Sequence, residues 1–267
     1  MRLKFTKMHG LGNDFMLVEW PQRIDPPSAA LLRAWSDRHR GVGFDQFILI
    51  EAGGRYRIYN ADGSAGGQSG NGARCLAAYL ANGKPQPLTL MSAHGTFHAK
   101  VADGGIVAIN LGKPDFTPAS LPFRADAVAD SYRLELDSGP VEFGIVSMGN
   151  PHAVIEVDSV ENAPVGIIGP ALQAHPSFPE SVNVGFVEHV TREHIRLRVF
   201  ERGTGETQAC GTGAAAAMAI ERRRGRVERK ATVELLGGRL EVEWEGDGAD
   251  LWQTGQTTKV YEGLIEI

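Results

Sequence analysis

Apolar and polar residues alternate over many short runs, and this period near two predicts strands. Residues 3 to 8 alternate loosely, Met16-Leu17-Val18 is apolar throughout, and GVGFDQFILI reads as a glycine turn leading into a strand that Gln46 begins. Further strands are predicted over Arg55 to Tyr59, Leu88 to Met91, Thr96 to Val101 and Val107 to Leu111. The second half has the same texture: Val141 to Met148, the run GNPHAVIEV, Ala231 to Leu236, Leu240 to Glu245 and Asp250 to Thr254. Helical spacing is confined to Leu31 to Arg38, Gly72 to Leu80 and the alanine-rich stretch after Cys210. One helix among many short strands in each half predicts an α+β fold with mainly antiparallel sheet.

The halves repeat one another. RVFERGTGETQACGTGAAAAMAI, starting at Arg198, lies over RIYNADGSAGGQSGNGARCLAAY, starting at Arg57, at a constant offset of 141. Asn60 then matches Glu201, Gly70 matches Gly211, and Ser69 matches Cys210. A spacing kept across a strand, a loop and a helix start predicts two copies of one unit. Upstream, Gly149-Asn150-Pro151 answers Gly12-Asn13-Asp14 at an offset of 137, and Asn183 falls near the place of Gln46. The crossing is expected in the proline-interrupted stretch from Lys113 to Pro118, with Lys259 to Ile267 returning to the first domain. The expected domains are 1–115 with about 256–267, and 116–255.

Each copy puts a small nucleophilic side chain, Ser69 or Cys210, at a helix N-terminus. The first amides of a helix lack intrahelical partners and carry the positive end of its dipole. Gly70-Asn71-Gly72 and Gly211-Thr212-Gly213 are therefore candidate anion cradles, and the same field is expected to lower the Cys210 pKa below the ordinary value of about 8.5. Two acid/base groups flanking a carbon next to a carboxylate are what stereoinversion at that carbon requires. Cys210 alone reads as buried filler; Glu201, Arg202, Glu206 and the glycine turn around it favour catalysis. Cys75 reads as core, His152 as a tuning group or a hydrogen-bonded structural residue, and Asn13 and Asp14 as turn residues or ligand donors.

Composition narrows the classes. Among 267 residues, 27 Lys and Arg stand against 32 Asp and Glu, a formal charge of −5, and the basic residues are scattered apart from Arg222-Arg223-Arg224, which reads as a helix end. A nucleic-acid partner needs a basic face and is not expected. Two cysteines give no disulfide framework, and no signal peptide or apolar run of about 20 residues occurs, which together predict a soluble cytoplasmic protein with no membrane partner. No metal-ligand spacing, P-loop or dinucleotide fingerprint is present.

The blocks HGLGNDF, GVGFDQ, YNADGS, QSGNGARC, MGNPHAV, NVGF, ERGTGETQACGTGA and TTKVYEG, in this order, resemble the diaminopimelate epimerases, cofactor-independent isomerases of bacterial lysine and peptidoglycan precursor synthesis. The resemblance implies a homodimer of chains with two pseudo-symmetric domains, each a curved, barrel-like, mainly antiparallel sheet around a central helix, with the site in the cleft between them. One thiol removes the α-proton and another, on the opposite face, returns one. Cys210 matches the second catalytic cysteine, and the amides of Gly70, Asn71, Gly211 and Thr212 match the carboxylate cradle. Asn13, Gln46, Asn60, Asn150, Asn183, Glu201 and Arg202 match substrate-binding positions, and His152 and Glu201 match residues that tune the catalytic pKa values. Ser69 stands where the family has its first catalytic cysteine, either as an introduced replacement or as the natural residue of a protein that works differently. The alternatives are an epimerase or racemase of another amino acid, of proline, hydroxyproline or histidine type, and a non-catalytic amino-acid-binding homologue.

Overall fold

A computed structural model describes every residue except Gln68, His94 and Asp126, so the glutamine of the QSGNG block lies outside the described residues. The chain divides into Met1–Ile109 with Thr254–Ile267, and Asn110–Gln253.

The first unit opens with a hairpin. Strands β1 (Arg2–Gly10) and β2 (Asn13–Glu19) are joined by Leu11 and Gly12, both at positive φ, a two-residue turn whose twist suits the flanking strands. Strand β3 (Gln46–Ile50) runs parallel to β2, which demands a crossover, and helix α1 (Ala29–Ser36), capped by the Ser28 hydroxyl, lies in it. Strand β4 (Tyr56–Asn60) returns antiparallel to β3. The terminal strand β17 (Thr258–Glu266) pairs with β1, giving the order β17-β1-β2-β3-β4. Residues 15–18 and 47–50 are buried on both sides of the sheet. Met16, Val18, Phe47 and Leu49 join Trp35 and Phe44 in one cluster. Phe15 points the other way, and its ring lies against Gly72 of helix α2 (Gly70–Ala81). Helix α2 is buried continuously from Gly70 to Ala77 and also packs on strands β5 (Gln86–Ser92) and β6 (Gly95–Val101); β7 (Ile106–Asn110) pairs with β6.

The second unit follows the same path. Strand β8 (Tyr132–Leu136) flanks β9 (Gly139–Ser147), which pairs with β10 (Pro151–Glu156). Helix α3 (Val165–Gln173) precedes β11 (Asn183–Thr191), parallel to β10, and β12 (His194–Glu201) returns antiparallel. Strand β13 (Gly205–Thr207) pairs on β12, and helix α4 (Gly211–Arg223) follows. Strands β14 (Lys230–Leu235), β15 (Gly238–Glu243) and β16 (Trp252–Gln256) complete the order β16-β15-β14-β12-β11-β10-β9-β8. Every residue from Gly211 to Glu221 is buried, which explains the alanine run: a helix apolar all round is one surrounded by protein. Its last turn carries Arg222 and Arg223, on the negative end of the dipole as expected.

Two expectations change. The second unit holds a helix beside its central one, as the first holds α1; α3 escapes the periodicity because Gly166, Gly169 and Pro170 interrupt it. Among the described residues no ring of strands closes, so the barrel-like expectation gives way to open sheets. No helix is long and apolar enough to cross a membrane among those residues.

Candidate active site

In each unit the residues singled out by sequence gather where two parallel strands begin and the central helix starts. Asn13 opens β2, Gln46 opens β3, Asn60 ends β4, and Ser69 caps α2. Strand register sets Gln46 between Phe15 and Asn60. In the second unit Asn150 immediately precedes β10, His152 pairs with Asn183, Glu201 ends β12, and Cys210 is the N-cap of α4.

In the first unit the gathered groups are a hydroxyl and a run of carboxamides. Ser69 Oγ accepts the Gly72 amide at 3.1 Å, the bond expected of a serine N-cap. A Cβ on Gly72 would lie 3.2 Å from that hydroxyl and 3.1 Å from the Phe15 ring, so glycine is what lets the cap, the strand and the helix meet. Gln46 Nε2 donates to Asn60 Oδ1 at 3.0 Å, and Asn60 Nδ2 donates to Ser64 Oγ at 3.0 Å. Asn71 is buried and donates to Asn13 Oδ1 at 3.3 Å. Cys75 is fully buried and its thiol is pushed up to about 12 by burial, against the opposing charge of Arg74, as suits a core residue.

The second unit repeats the frame with a thiol. A Cβ on Gly213 would lie 3.3 Å from Cys210 Sγ and 3.0 Å from a Val199 methyl, mirroring Gly72. The thiol is 4% exposed. Contrary to the expectation from the helix dipole, its pKa is pushed well above the ordinary thiol value, first by burial and then by the charge and hydrogen bonding of Glu201. The Gly213 amide and the Thr212 hydroxyl pull the other way without offsetting this. Burial wins because the central helix is enclosed on all sides, which the local sequence does not reveal. Thr207 Oγ1 donates to Glu201 Oε1 at 2.5 Å and so fixes that carboxylate beside the sulfur.

His152 is buried, and its imidazole is held down to about 3 by burial and then by the Arg202 charge, so it is neutral near pH 7. Its tautomer follows from its neighbours. Asn150 Nδ2 donates to Thr212 Oγ1 at 3.2 Å, which turns Asn150 Oδ1 toward His152 Nε2 at 3.0 Å, and only a protonated Nε2 satisfies that contact. The Thr212 hydroxyl in turn lies 3.7 Å from Cys210 Sγ. A line of hydrogen bonds thus runs from His152 through Asn150 and Thr212 to the thiol. Asn183 is buried and its carboxamide is bound to backbone, donating to Pro151 O at 3.0 Å and accepting the Arg202 amide at 2.9 Å, so it clamps the chain on both sides of the site. The Arg202 guanidinium donates to Glu180 O at 2.9 Å and stays exposed.

Sequence reasoning singled out Asp14 but missed the other charged residues behind Asn13: Lys7, Arg38, Asp45 and Arg74 join the two in one network. Asp45 stood in the GVGFDQ block as a signal, next to Gln46. Glu156, His189 and Glu221 form the one group of metal-ligating types among the described residues. They sit toward the C-terminal end of α4, and the imidazole there separates the two carboxylates, with Nε2 at 2.8 Å from Glu221 and Nδ1 at 3.4 Å from Glu156.

A family profile described as diaminopimelate epimerase matches residues 5–117 and 144–260. The chain is 45% identical to a diaminopimelate epimerase of Ectopseudomonas mendocina and 46% identical to one of Stutzerimonas stutzeri, each alignment covering the whole of both chains. A crystal structure of a hydroxyproline epimerase from Agrobacterium vitis, with bound trans-4-hydroxy-L-proline, has a TM-score of 0.68 at 18% identity, covering 99% of this chain and 92% of the other. A phenazine biosynthesis protein of the PhzF family from Bacillus anthracis scores 0.70 at 17% identity over the whole of both chains. At that identity these two share the two-domain α+β fold alone. The sequence blocks, the duplicated frame around Ser69 and Cys210, and the end-to-end similarity converge: the chain belongs to the diaminopimelate epimerase family.

Proposed function

We propose that the chain binds diaminopimelate and interconverts its LL and meso forms by direct proton transfer at the α-carbon, without pyridoxal phosphate, and that Ser69 impairs this reaction. The observation that carries the reading is Cys210, a buried thiol at the start of α4 in contact with Glu201, in a chain similar to the family along its whole length. The amides at each helix start, those of Gly70 and Asn71 on α2 and of Gly211 and Thr212 on α4, suit a reacting carboxylate, because helix dipoles favour negative charge there. Removing the α-proton drives charge into that carboxylate, and amides already held at helix ends stabilise it without reorganisation. Cys210, with its raised pKa, holds its proton in the resting protein and is the acid that delivers it to the carbon. Acting in the other direction it must first give that proton up to solvent, and the thiolate then takes the α-proton from the carbon. Asn13, Gln46, Asn60, Asn150, Asn183, Glu201 and Arg202 read the ammonium and carboxylate groups of the distal end.

Ser69 occupies the place from which the opposite face would be served. Its hydroxyl keeps the shape and the bond to Gly72, but its pKa lies far above a thiol's, and it is a poor base for a carbon acid. That residue favours a second reading, a protein that binds the amino acid without turning it over. Ser69→Cys decides between the mechanism and its alternatives. It is expected to raise epimerisation, followed by chiral chromatography, about 10²- to 10⁴-fold. The Ser69 protein should exchange the α-hydrogen of one stereoisomer only, and Cys210→Ala should abolish that exchange. An unchanged rate in Ser69→Cys, with no effect of Cys210→Ala, sinks the two-base assignment; full turnover by the chain as it stands rejects the binding-only reading.

We also propose a homodimer and a cytoplasmic role in lysine and peptidoglycan precursor synthesis. The dimer is supported by β17, an edge strand of its sheet on which Val260, Tyr261 and Leu264 are exposed.

A further inference from the structure

Seven polar side chains form an unbroken line of contacts across the first unit. Lys7 Nζ meets Asp14 Oδ2 at 2.6 Å. Arg38 grips both Asp14 oxygens at 2.9 Å and reaches Asp45 Oδ1 at 2.7 Å. Asp45 Oδ2 accepts Asn13 Nδ2 at 2.9 Å, Asn13 Oδ1 accepts Asn71 Nδ2 at 3.3 Å, and Asn71 Oδ1 accepts the Arg74 guanidinium. Lys7, Asn71 and Arg74 are buried. Asp14 and Asp45 also exchange backbone bonds: the Asp14 amide donates to Asp45 Oδ2 at 3.2 Å, and the Asp45 amide to Asp14 Oδ1 at 2.8 Å. Burial would raise the Asp14 pKa, yet hydrogen bonds and charge from Arg38 and Lys7 hold it at about 2, so Asp14 stays ionised.

The ends of the line dictate what lies between them. A carboxylate only accepts, so the Asn13 atom facing Asp45 must be nitrogen; a guanidinium only donates, so the Asn71 atom facing Arg74 must be oxygen. Turning Asn13 over would set its oxygen against Asp45 and its NH₂ against that of Asn71. We propose that Asp45 is a positioning residue that fixes the polarity of the Asn13 carboxamide, so that Asn13 meets the substrate with its second N–H and selects an anionic group there. This rests on the reading of the chain as a diaminopimelate epimerase.

The second copy shows that the aspartate is not part of the shared frame. At the offset of 137, Asp45 becomes Val182 and Phe15 becomes His152. Asn150 accordingly turns the other way: it donates to the helix residue Thr212 and accepts from His152, whereas Asn13 accepts from the helix residue Asn71 and donates to Asp45. Each copy carries one added polar group, and the two groups address opposite atoms of equivalent asparagines.

Asp45→Asn tests this with the shape kept. Arg38, the charged donor, claims its single oxygen, its NH₂ faces Asn13 and the Asp14 amide, and the polarity of Asn13 is inverted. Calorimetry would compare diaminopimelate with its two monoamides on the parent chain and on Asp45→Asn. The parent should bind the diacid about 10-fold or more tightly than one of the monoamides, the margin of a hydrogen bond to a charged group, and Asp45→Asn should abolish or reverse that ratio. General loosening of the site would weaken all three ligands alike, so an unchanged ratio overturns the proposal. If the parent binds none of the three, the substrate reading fails, and amide NMR then decides the polarity. Protection of the Asn13 side-chain protons from exchange in the parent, lost in Asp45→Asn, supports it; equal protection in both overturns it.

Discussion

Glu201→Gln isolates what holds the proton on Cys210. The substitution keeps the volume and an acceptor for Thr207 but removes the charge beside the sulfur. Two charges about 4 Å apart interact by about 1 kcal/mol in water and about 4 kcal/mol at the effective dielectric of a protein surface. Spread over a factor of ten per 1.4 kcal/mol, this predicts about 5- to 10³-fold more thiolate in Glu201→Gln at any pH well below the thiol pKa. Alkylation of Cys210, followed by peptide mass, reports that fraction, because the thiolate is the nucleophile. In the parent the rate should climb about 10-fold per pH unit from 6 to 9 with no plateau. In Glu201→Gln the whole line should lie higher. Burial remains the largest influence on the thiol, so the variant should still react more slowly than a free cysteine. A plateau near pH 7 in the parent, or coincident lines for the two proteins, would refute the view that burial and Glu201 together outweigh the helix N-terminus.

Two further outcomes follow from burial and exposure. The unfolded chain protonates His152 at about 6.5 and the folded chain only near 3, so this residue costs stability as pH falls through that window, about 1.4 kcal/mol per pH unit, and nothing above it; denaturant unfolding at pH 7 and pH 5 should show the loss in the parent and not in His152→Gln, and equal slopes would count against a buried neutral imidazole. Sedimentation should give a dimer for the parent and a monomer for Tyr261→Asp, whose new charge falls among the exposed apolar residues of β17; a dimer unaffected by the change places the interface elsewhere.

Most strands are legible as short apolar or alternating runs, many bounded by a glycine turn, although β8 and most of β11 are not among those predicted, and the 141-residue offset alone sets the two central helices in register. What the pattern cannot show is of two kinds. Helix α3 carries its own breakers, Gly169 and Pro170, yet folds because Leu172 and Val165 pack into the second core; tertiary burial overrides local propensity. The Cys210 pKa depends on how completely α4 is enclosed, a property of strands distant in sequence. The same holds for Arg74, fully buried one turn into α2, a placement that the local sequence does not signal.

Duplication fixes the frame and leaves the polarity free. Gly72 and Gly213 let each cap meet its strand, and the starts of the parallel strands deliver an asparagine to each helix. These are demands of backbone geometry, the same in both copies. The groups that differ, Ser69 against Cys210, Asp45 against Val182 and Phe15 against His152, are side chains that the frame tolerates without moving. Equivalent helix starts therefore carry unlike caps, the likeness set by the backbone and the difference by these few side chains. The charged line behind Asn13 and the neutral line behind Cys210 are where the two copies differ most, in side chains rather than in backbone.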